Sequence, residues 1–230
     1  MTVISVIIPT YNEQSTILDI LQKVKNVEVA DASFEVIVID DGSTDKTVEI
    51  LEKEPDLYTK LVKMELNGGK GAAVNTGLKE ATGDFILFQD ADLEYDPADY
   101  PKLLQPILNF NADVVMGSRC VAPEYTRVFY FWHLVGNRII TLLFNIFYNT
   151  TFTDIYSCYL LYRRSLLDPQ RLKTEGWDQH AEILSSLVKQ RPVIYEVPIS
   201  YHGRTYDEGK KIKAHHIIAV IWTIITKRFS

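Results

Sequence analysis

Apolar and polar positions alternate between two periods along the first half of the chain. Residues 3–8 form a short β-branched run stopped by Pro9, the length and composition of a buried strand. Residues 15–27 place Ile17, Leu18, Leu21 and Val24 at helical spacing. A second buried strand covers 34–39 and ends in Asp40-Asp41-Gly42, after which Thr44 and Asp45 open a helix at 48–51. The pattern then predicts a strand within 58–66, a helix over 71–81 and a strand over 85–88. Uninterrupted apolar strands alternating with amphipathic helices predict an α/β fold, a mostly parallel central sheet flanked by helices.

The second half is less regular. Strands are expected at 112–116, 159–162 and 193–197, the last ending at Pro198, and helices at 128–148, 182–189 and 217–226. The polar stretch 202–213 reads as a loop. Residues 128–148 are strongly apolar, but His133, Asn137, Arg138 and Asn145 interrupt them, and 217–226 falls short of the roughly 20 residues that span a bilayer. Neither is predicted to cross a membrane. Both suit a position in its interface, with Trp132, Trp222, Lys227 and Arg228 at headgroup level; the other reading is a pair of core helices.

Composition narrows the class. The chain has 230 residues, 47% hydrophobic and 23% charged, which suits one large domain with a real core and excludes disorder. A net charge of −6 argues against nucleic acid as a partner. Two cysteines, Cys120 and Cys158, make neither a disulfide framework nor a four-cysteine metal site, so a reducing, cytoplasmic setting is expected. The N-terminus, Met1-Thr2-Val3-Ile4-Ser5, lacks the basic region of a signal peptide.

Candidate chemistry gathers after the strands. Phe85-Ile86-Leu87-Phe88 runs into Gln89-Asp90-Ala91-Asp92, with Glu94 two residues on. Ligands of open α/β sheets bind beyond the carboxyl ends of the strands, so these acids fall where a site is expected. Paired hard oxygen ligands suit Mg²⁺ or Mn²⁺. Alone, the same acids fit a turn that caps the next helix. They are not alone: Pro9-Thr10-Tyr11-Asn12-Glu13, Asp40-Asp41-Gly42-Ser43-Thr44-Asp45 and Asn67-Gly68-Gly69-Lys70-Gly71 follow the other three strands. Four polar clusters at one predicted sheet edge favour a site. Gly69-Lys70-Gly71 is not a phosphate-binding P-loop, because Gly71 stands where Ser or Thr belongs, and no G-x-G-x-x-G follows the first strand. His215 and His216 are adjacent on a helix and point to different faces, which argues against a metal pair.

These motifs carry a resemblance. The series PTYNE, DDGSTD, NGGKGAA, GDFILFQDADLEYDP and GSR resembles the family 2 glycosyltransferases of the GT-A fold, a Rossmann-like nucleotide-diphospho-sugar transferase fold. Within them it is most similar to the branch of dolichyl-phosphate mannose synthases and polyprenyl-phosphate sugar transferases. Residues 152–159 are similar to the T-D-x-x-S-G-F segment of that branch, with Cys158 in place of Gly. Residues 201–212, with Arg204 and Gly209-Lys210-Lys211, are similar to its basic loop, and Asp178 stands where some mannose synthases carry Lys.

The resemblance implies one GT-A domain over 1–230, with a nucleotide-sugar half at 1–118 and an acceptor half at 119–230. It implies that Pro9, Tyr11, Glu13, Ile39 and Asp41 hold base and ribose, that Lys70, Asp90, Ala91 and Lys210 also face the donor, and that Asp90, Asp92 and Glu94 bind Mg²⁺ or Mn²⁺. Arg119, Arg138 and Arg204, helped by Lys210 or Lys211, would hold an acceptor phosphate; Arg138 stands out as a charge in an apolar helix. Asp154 and Glu182 would orient the acceptor or act as base. The implied activity is inverting transfer of a sugar from a nucleoside diphosphate (GDP-mannose or a UDP-sugar) to a polyprenyl or dolichyl phosphate at the cytoplasmic membrane face. The alternatives are a soluble sugar or glycan acceptor, or a nucleotide-sugar-binding protein without catalysis. The apolar helices would meet lipid, a second copy or a membrane partner subunit.

Overall fold

A computed structural model of the protein describes residues 1–121, 130–203 and 216–229. Seven strands form one sheet: β1 (Thr2–Thr10), β2 (Ala32–Asp40), β3 (Lys60–Lys63), β4 (Phe85–Phe88), β5 (Val114–Ser118), β6 (Leu160–Arg163) and β7 (Ile194–Pro198), in the order β3-β2-β1-β4-β6-β5-β7. β1 pairs in parallel with β2 and β4, β2 with β3, and β5 with β7. β6 runs antiparallel to both of its neighbours, β4 and β5. Every strand but β6 therefore points the same way, and the carboxyl ends of β1–β5 and β7 share one edge.

The helices are α1 (Ile17–Lys25), α2 (Thr47–Lys53), α3 (Lys70–Glu80), α4 (Tyr100–Phe110), α5 (Phe131–Tyr148), α6 (Gln179–Val188) and α7 (His216–Phe229). The expected alternation holds, with ends shifted by a few residues. α4 is the element that the apolar pattern did not predict. Pro101 lies in its first turn, where no N–H is needed, and Pro106 lies inside it and withholds one backbone bond. Burial of Tyr100, Leu103, Leu104 and Ile107 against the sheet outweighs that cost. α3 approaches β1 closely because a Cβ on Gly77 would come within 2.5 Å of the Ile7 side chain.

The turn after β4 hangs on one buried amide. Gln89 is wholly buried, and its Oε1 accepts from Tyr100 Oη at 2.9 Å and Tyr159 Oη at 2.8 Å. Its Nε2 donates to the carbonyls of Asp90 at 2.9 Å and Tyr95 at 3.4 Å. One side chain thus ties the acidic turn to α4 and to the segment before β6. Gln89→Leu would strand two buried tyrosine hydroxyls, each costing about 1–3 kcal/mol. Urea unfolding should show a loss of about 3 kcal/mol at unchanged m-value; a loss below about 1 kcal/mol would mean that water replaces the amide.

Candidate active site

The shared strand edge opens into a cavity of about 660 Å³, the size of a small-molecule site. Pro9 of β1 and Tyr11 and Glu13 of the loop after it line the cavity. Asn12, at φ 55°, accepts the amides of Thr44 at 2.8 Å and Asp45 at 3.3 Å, so the loops after β1 and β2 are joined. Asp41, also in the lining, accepts the amides of Gly68 at 2.7 Å and Gly69 at 2.9 Å. Burial raises its pKa above the usual carboxylate value, and the two amides only partly counter this. The glycines are needed where they stand: Gly69 has φ 86°, and a Cβ on Gly71 would lie 2.3 Å from the Glu175 backbone.

The acidic turn forms the next wall, with Asp90, Ala91, Asp92 and Glu94 all lining the cavity. Lys70, the first residue of α3, donates from Nζ to Asp90 Oδ1 at 2.5 Å and lies 5.6 Å from the centre of the Trp177 ring. Burial alone would raise the Asp90 pKa, but the Lys70 ammonium outweighs it and leaves the carboxyl below its ordinary value. Asp92 Oδ1 accepts the Glu94 amide at 3.1 Å, and Glu94 Oε2 accepts from Tyr201 Oη at 2.9 Å. Among the described residues no three His, Cys, Asp or Glu groups converge as a ready metal cage. The donor set fits Mg²⁺ or Mn²⁺ held by one or two carboxylates, with phosphate and water completing the shell. The expected trio of Asp90, Asp92 and Glu94 faces the cavity together, with one oxygen of Asp90 on Lys70 and one of Glu94 on Tyr201.

Arg119, at the end of β5, lines the opposite wall. Its Nε and Nη2 donate to the two oxygens of Asp154 at 2.7 and 2.9 Å, and its ring neighbour Tyr201 lies 5.0 Å from the guanidinium. Asp154 also accepts from Asn137 Nδ2 at 3.0 Å and from the backbone amides of Arg119 and Tyr156. Burial would raise its pKa, but Arg119 and these donors bring it down to about 2. Asp154 is outside the cavity lining, beneath Arg119. A carboxylate so fully engaged is a poor proton acceptor, and of the two expected roles, base or orienting group, its contacts favour orientation through Arg119.

Glu182 is likewise displaced from its expected role. It is fully buried on α6, outside the lining, and accepts from the Lys173 amide at 3.1 Å, the Thr174 amide at 2.8 Å, Thr174 Oγ1 at 2.6 Å and the Lys227 ammonium. It clamps the segment before α6 to α7. Arg138 is exposed on the outer face of α5, where water solvates its charge, and is not part of the cavity wall. Ile39 is buried in β2 against α3 and also lies behind the wall. Arg204, Lys210, Lys211 and His215 lie outside the described residues.

Among the lining residues that the sequence does not single out are Trp177, Gln179 and His180. Trp177 is held through its carbonyl by Tyr156 Oη at 2.7 Å, and Gln179 Nε2 donates to the Gly71 carbonyl at 2.8 Å and Asn75 Oδ1 at 2.7 Å. His180 has its pKa lowered by burial to about 4, so its ring is neutral at pH 7. The available signal is a Trp and a His a few residues ahead of Glu182, the acid that the resemblance marks in this segment. α5 and α7 add apolar residues to the lining (Trp132, Ile140, Ile217 and Val220), beside His133 and Asn137 of α5.

A seven-stranded sheet with one reversed strand and an acidic turn beyond β4 is the architecture of the GT-A glycosyltransferases. Residues 5–169 match the Glycosyl transferase family 2 pattern, and the chain belongs to that family. It is 29% identical over 216 residues to a dolichol-phosphate mannosyltransferase of Pyrococcus furiosus, matching 90% of this chain and 58% of the relative. It is 30% identical over 205 residues to a low-salt glycan biosynthesis hexosyltransferase of Haloferax volcanii, matching 87% of this chain and 48% of the relative. The chain thus spans about half the length of these two curated relatives. Its fold matches the crystal structure of glucosyl-3-phosphoglycerate synthase from Mycobacterium tuberculosis in complex with Mn²⁺, UDP and glucosyl-3-phosphoglycerate, with a TM-score of 0.73, 21% identity, and coverage of 99% of this chain and 80% of that one.

The Asp154–Arg119 pair has a pH signature. Because the folded pKa lies near 2 and the ordinary value is 3.8, the unfolded chain takes up the proton first as pH falls. Asp154→Asn should cost about 3 kcal/mol at pH 7, and its deficit against the parent should shrink by about 2 kcal/mol between pH 5 and pH 2. Urea unfolding across that range reads both; a deficit that stays constant would show that Asp154 is not held as an anion.

Proposed function

We propose that the chain transfers one sugar, with inversion and metal dependence, from a nucleoside diphosphate to a polyprenyl or dolichyl phosphate at a membrane surface. The observation that carries this reading is the mixed lining of a single cavity: carboxylates and glycines from the strand ends, Arg119 from the end of β5, and apolar residues of α5 and α7. A donor headgroup suits the first group, an anionic phosphate the second and a prenyl chain the third.

The chemistry follows from how the side chains are engaged. An acceptor phosphate oxygen supplies its own electron pair to the anomeric carbon, the bond from that carbon to the diphosphate oxygen breaks, and the nucleoside diphosphate leaves. A single in-line displacement inverts the configuration. Such an acceptor needs no base, which agrees with Asp154 and Glu182 both being committed to other partners. A hydroxyl acceptor would need one. Arg119, locked by Asp154 and Tyr156, orients the incoming anion and excludes rotation of its own guanidinium. Asp41 and Glu13 face the base and ribose, and Lys70 faces the diphosphate. A divalent metal held by Asp90 and Asp92, when bound, neutralises charge on the leaving group.

The outer faces of α5 and α7 support the membrane setting. Ile139, Leu142 and Ile146 share one face of α5, and Ile218, Trp222 and Phe229 share one face of α7, all exposed. Among the described residues no helix is long and apolar enough to cross a membrane, so contact through these faces would be interfacial.

Nucleotide titration under thermal melting tests the donor site. With Mn²⁺, either UDP or GDP should stabilise the protein by about 2.7 kcal/mol at a hundredfold excess over Kd, and Asp92→Ala should abolish the effect. If neither nucleotide shifts the melt, the donor assignment fails. Transfer assays with polyprenyl phosphate and with free sugars then separate lipid from soluble acceptors, and exclusive transfer to a soluble sugar would overturn the lipid reading.

A further inference from the structure

The cavity carries a cation of its own where a metal would be expected to work. Lys70 Nζ pairs with Asp90 at 2.5 Å, with 35% and 19% of the two side chains exposed. The backbone beneath Lys70 has little freedom: the Gly69 carbonyl accepts the Ala73 amide at 3.1 Å, and Gly71 is pressed against Glu175. The ammonium, in contrast, ends a flexible four-carbon stem. The face of Trp177 offers it a second contact at 5.6 Å, and Tyr156 fixes the Trp177 backbone. Arg119, the other permanently charged cation lining the cavity among the described residues, is bound to both oxygens of Asp154.

We propose that Lys70 is a place-holding cation that keeps Asp90 paired until a nucleoside diphosphate arrives to take the ammonium, so that metal and nucleotide enter the site together and metal alone is resisted. This rests on the donor site proposed above. The argument is one of charge. A metal ion arriving alone must displace Lys70 from Asp90 and leave an ammonium without a partner in a partly buried wall. A nucleoside diphosphate brings the anion that Lys70 needs at the moment the metal needs Asp90. The two ligands therefore bind with positive coupling, and the coupling is reciprocal. A lysine that merely attracts phosphate predicts something different: its loss would weaken nucleotide binding and leave metal affinity untouched.

The test counts free Mn²⁺ by its solution electron paramagnetic resonance signal in nucleotide-free protein. Lys70→Met and Lys70→Gln, each checked for an unchanged melting temperature, should bind Mn²⁺ about tenfold more tightly than the parent, while Lys70→Arg should stay close to it. At saturating Mn²⁺, Lys70→Met should bind UDP or GDP about tenfold more weakly, so the synergy between the two ligands collapses. If the parent binds nucleotide only with Mn²⁺ and neither neutral variant gains metal affinity, the place-holding role is overturned and the donor site stands. If the parent shows no metal-dependent nucleotide binding, the donor site itself fails and this role falls with it.

Discussion

A carboxylate taken out of water must find replacement donors, and Asp41, Asp90, Asp154 and Glu182, in the cavity wall or behind it, show the range of solutions. Each is answered differently. Asp41 is met by two glycine amides, Asp154 by a guanidinium, Glu182 by an ammonium with two amides and a hydroxyl, and Asp90 by Lys70. The partners differ in how far they can move. Backbone amides move only if the loop unfolds. Arg119 is held at Nε and Nη2 and covered by Tyr201, so it also belongs to the scaffold. Lys70 and Lys227 end flexible stems whose contacts can be exchanged without moving the backbone, and of the two Lys70 lines the cavity. Fixed partners turn acids into structure, and a movable partner at the cavity leaves an acid available for chemistry.

That distinction explains what the sequence did and did not make legible. Buried parallel strands are written as unbroken apolar runs, so β1, β2 and β4 and the polar clusters behind them could be placed from the pattern alone. The reversed direction of β6 could not, because three buried residues followed by a half-buried arginine carry the same signature in either direction. α4 was hidden by Pro101 and Pro106, whose local cost is outweighed only by burial that the linear chain does not display.

The site followed the same division. Residues placed by a strand end, such as Asp41, Asp90, Asp92 and Arg119, reach the cavity wall because topology alone delivers them there. Asp154 and Glu182 were recognised as important acids, but a residue type does not reveal its partner, and the partner decides whether a carboxylate is a base or a brace. Arg138 shows the converse error. A charge in an apolar helix suggests a buried purpose, yet α5 is apolar on faces that the fold leaves exposed, and Arg138 belongs to one of them.

Those exposed faces bear on how the two halves of the site communicate. α7 carries an outward apolar face and packs against α5 and α6. Thr223 of α7 donates to Asp178 Oδ2 at 2.8 Å, and Lys227 reaches Glu182, which holds the amides of Lys173 and Thr174. The same segment presents Trp177 to Lys70. A continuous set of polar contacts therefore runs from the helix with the apolar face to the ring beside the Lys70 ammonium. That outward face is the one proposed above to meet lipid. Because α7 is braced to the segment that positions Trp177, whatever covers that face also steadies the wall of the donor site. The acid that looked like a catalytic base is better understood as the pin in that brace.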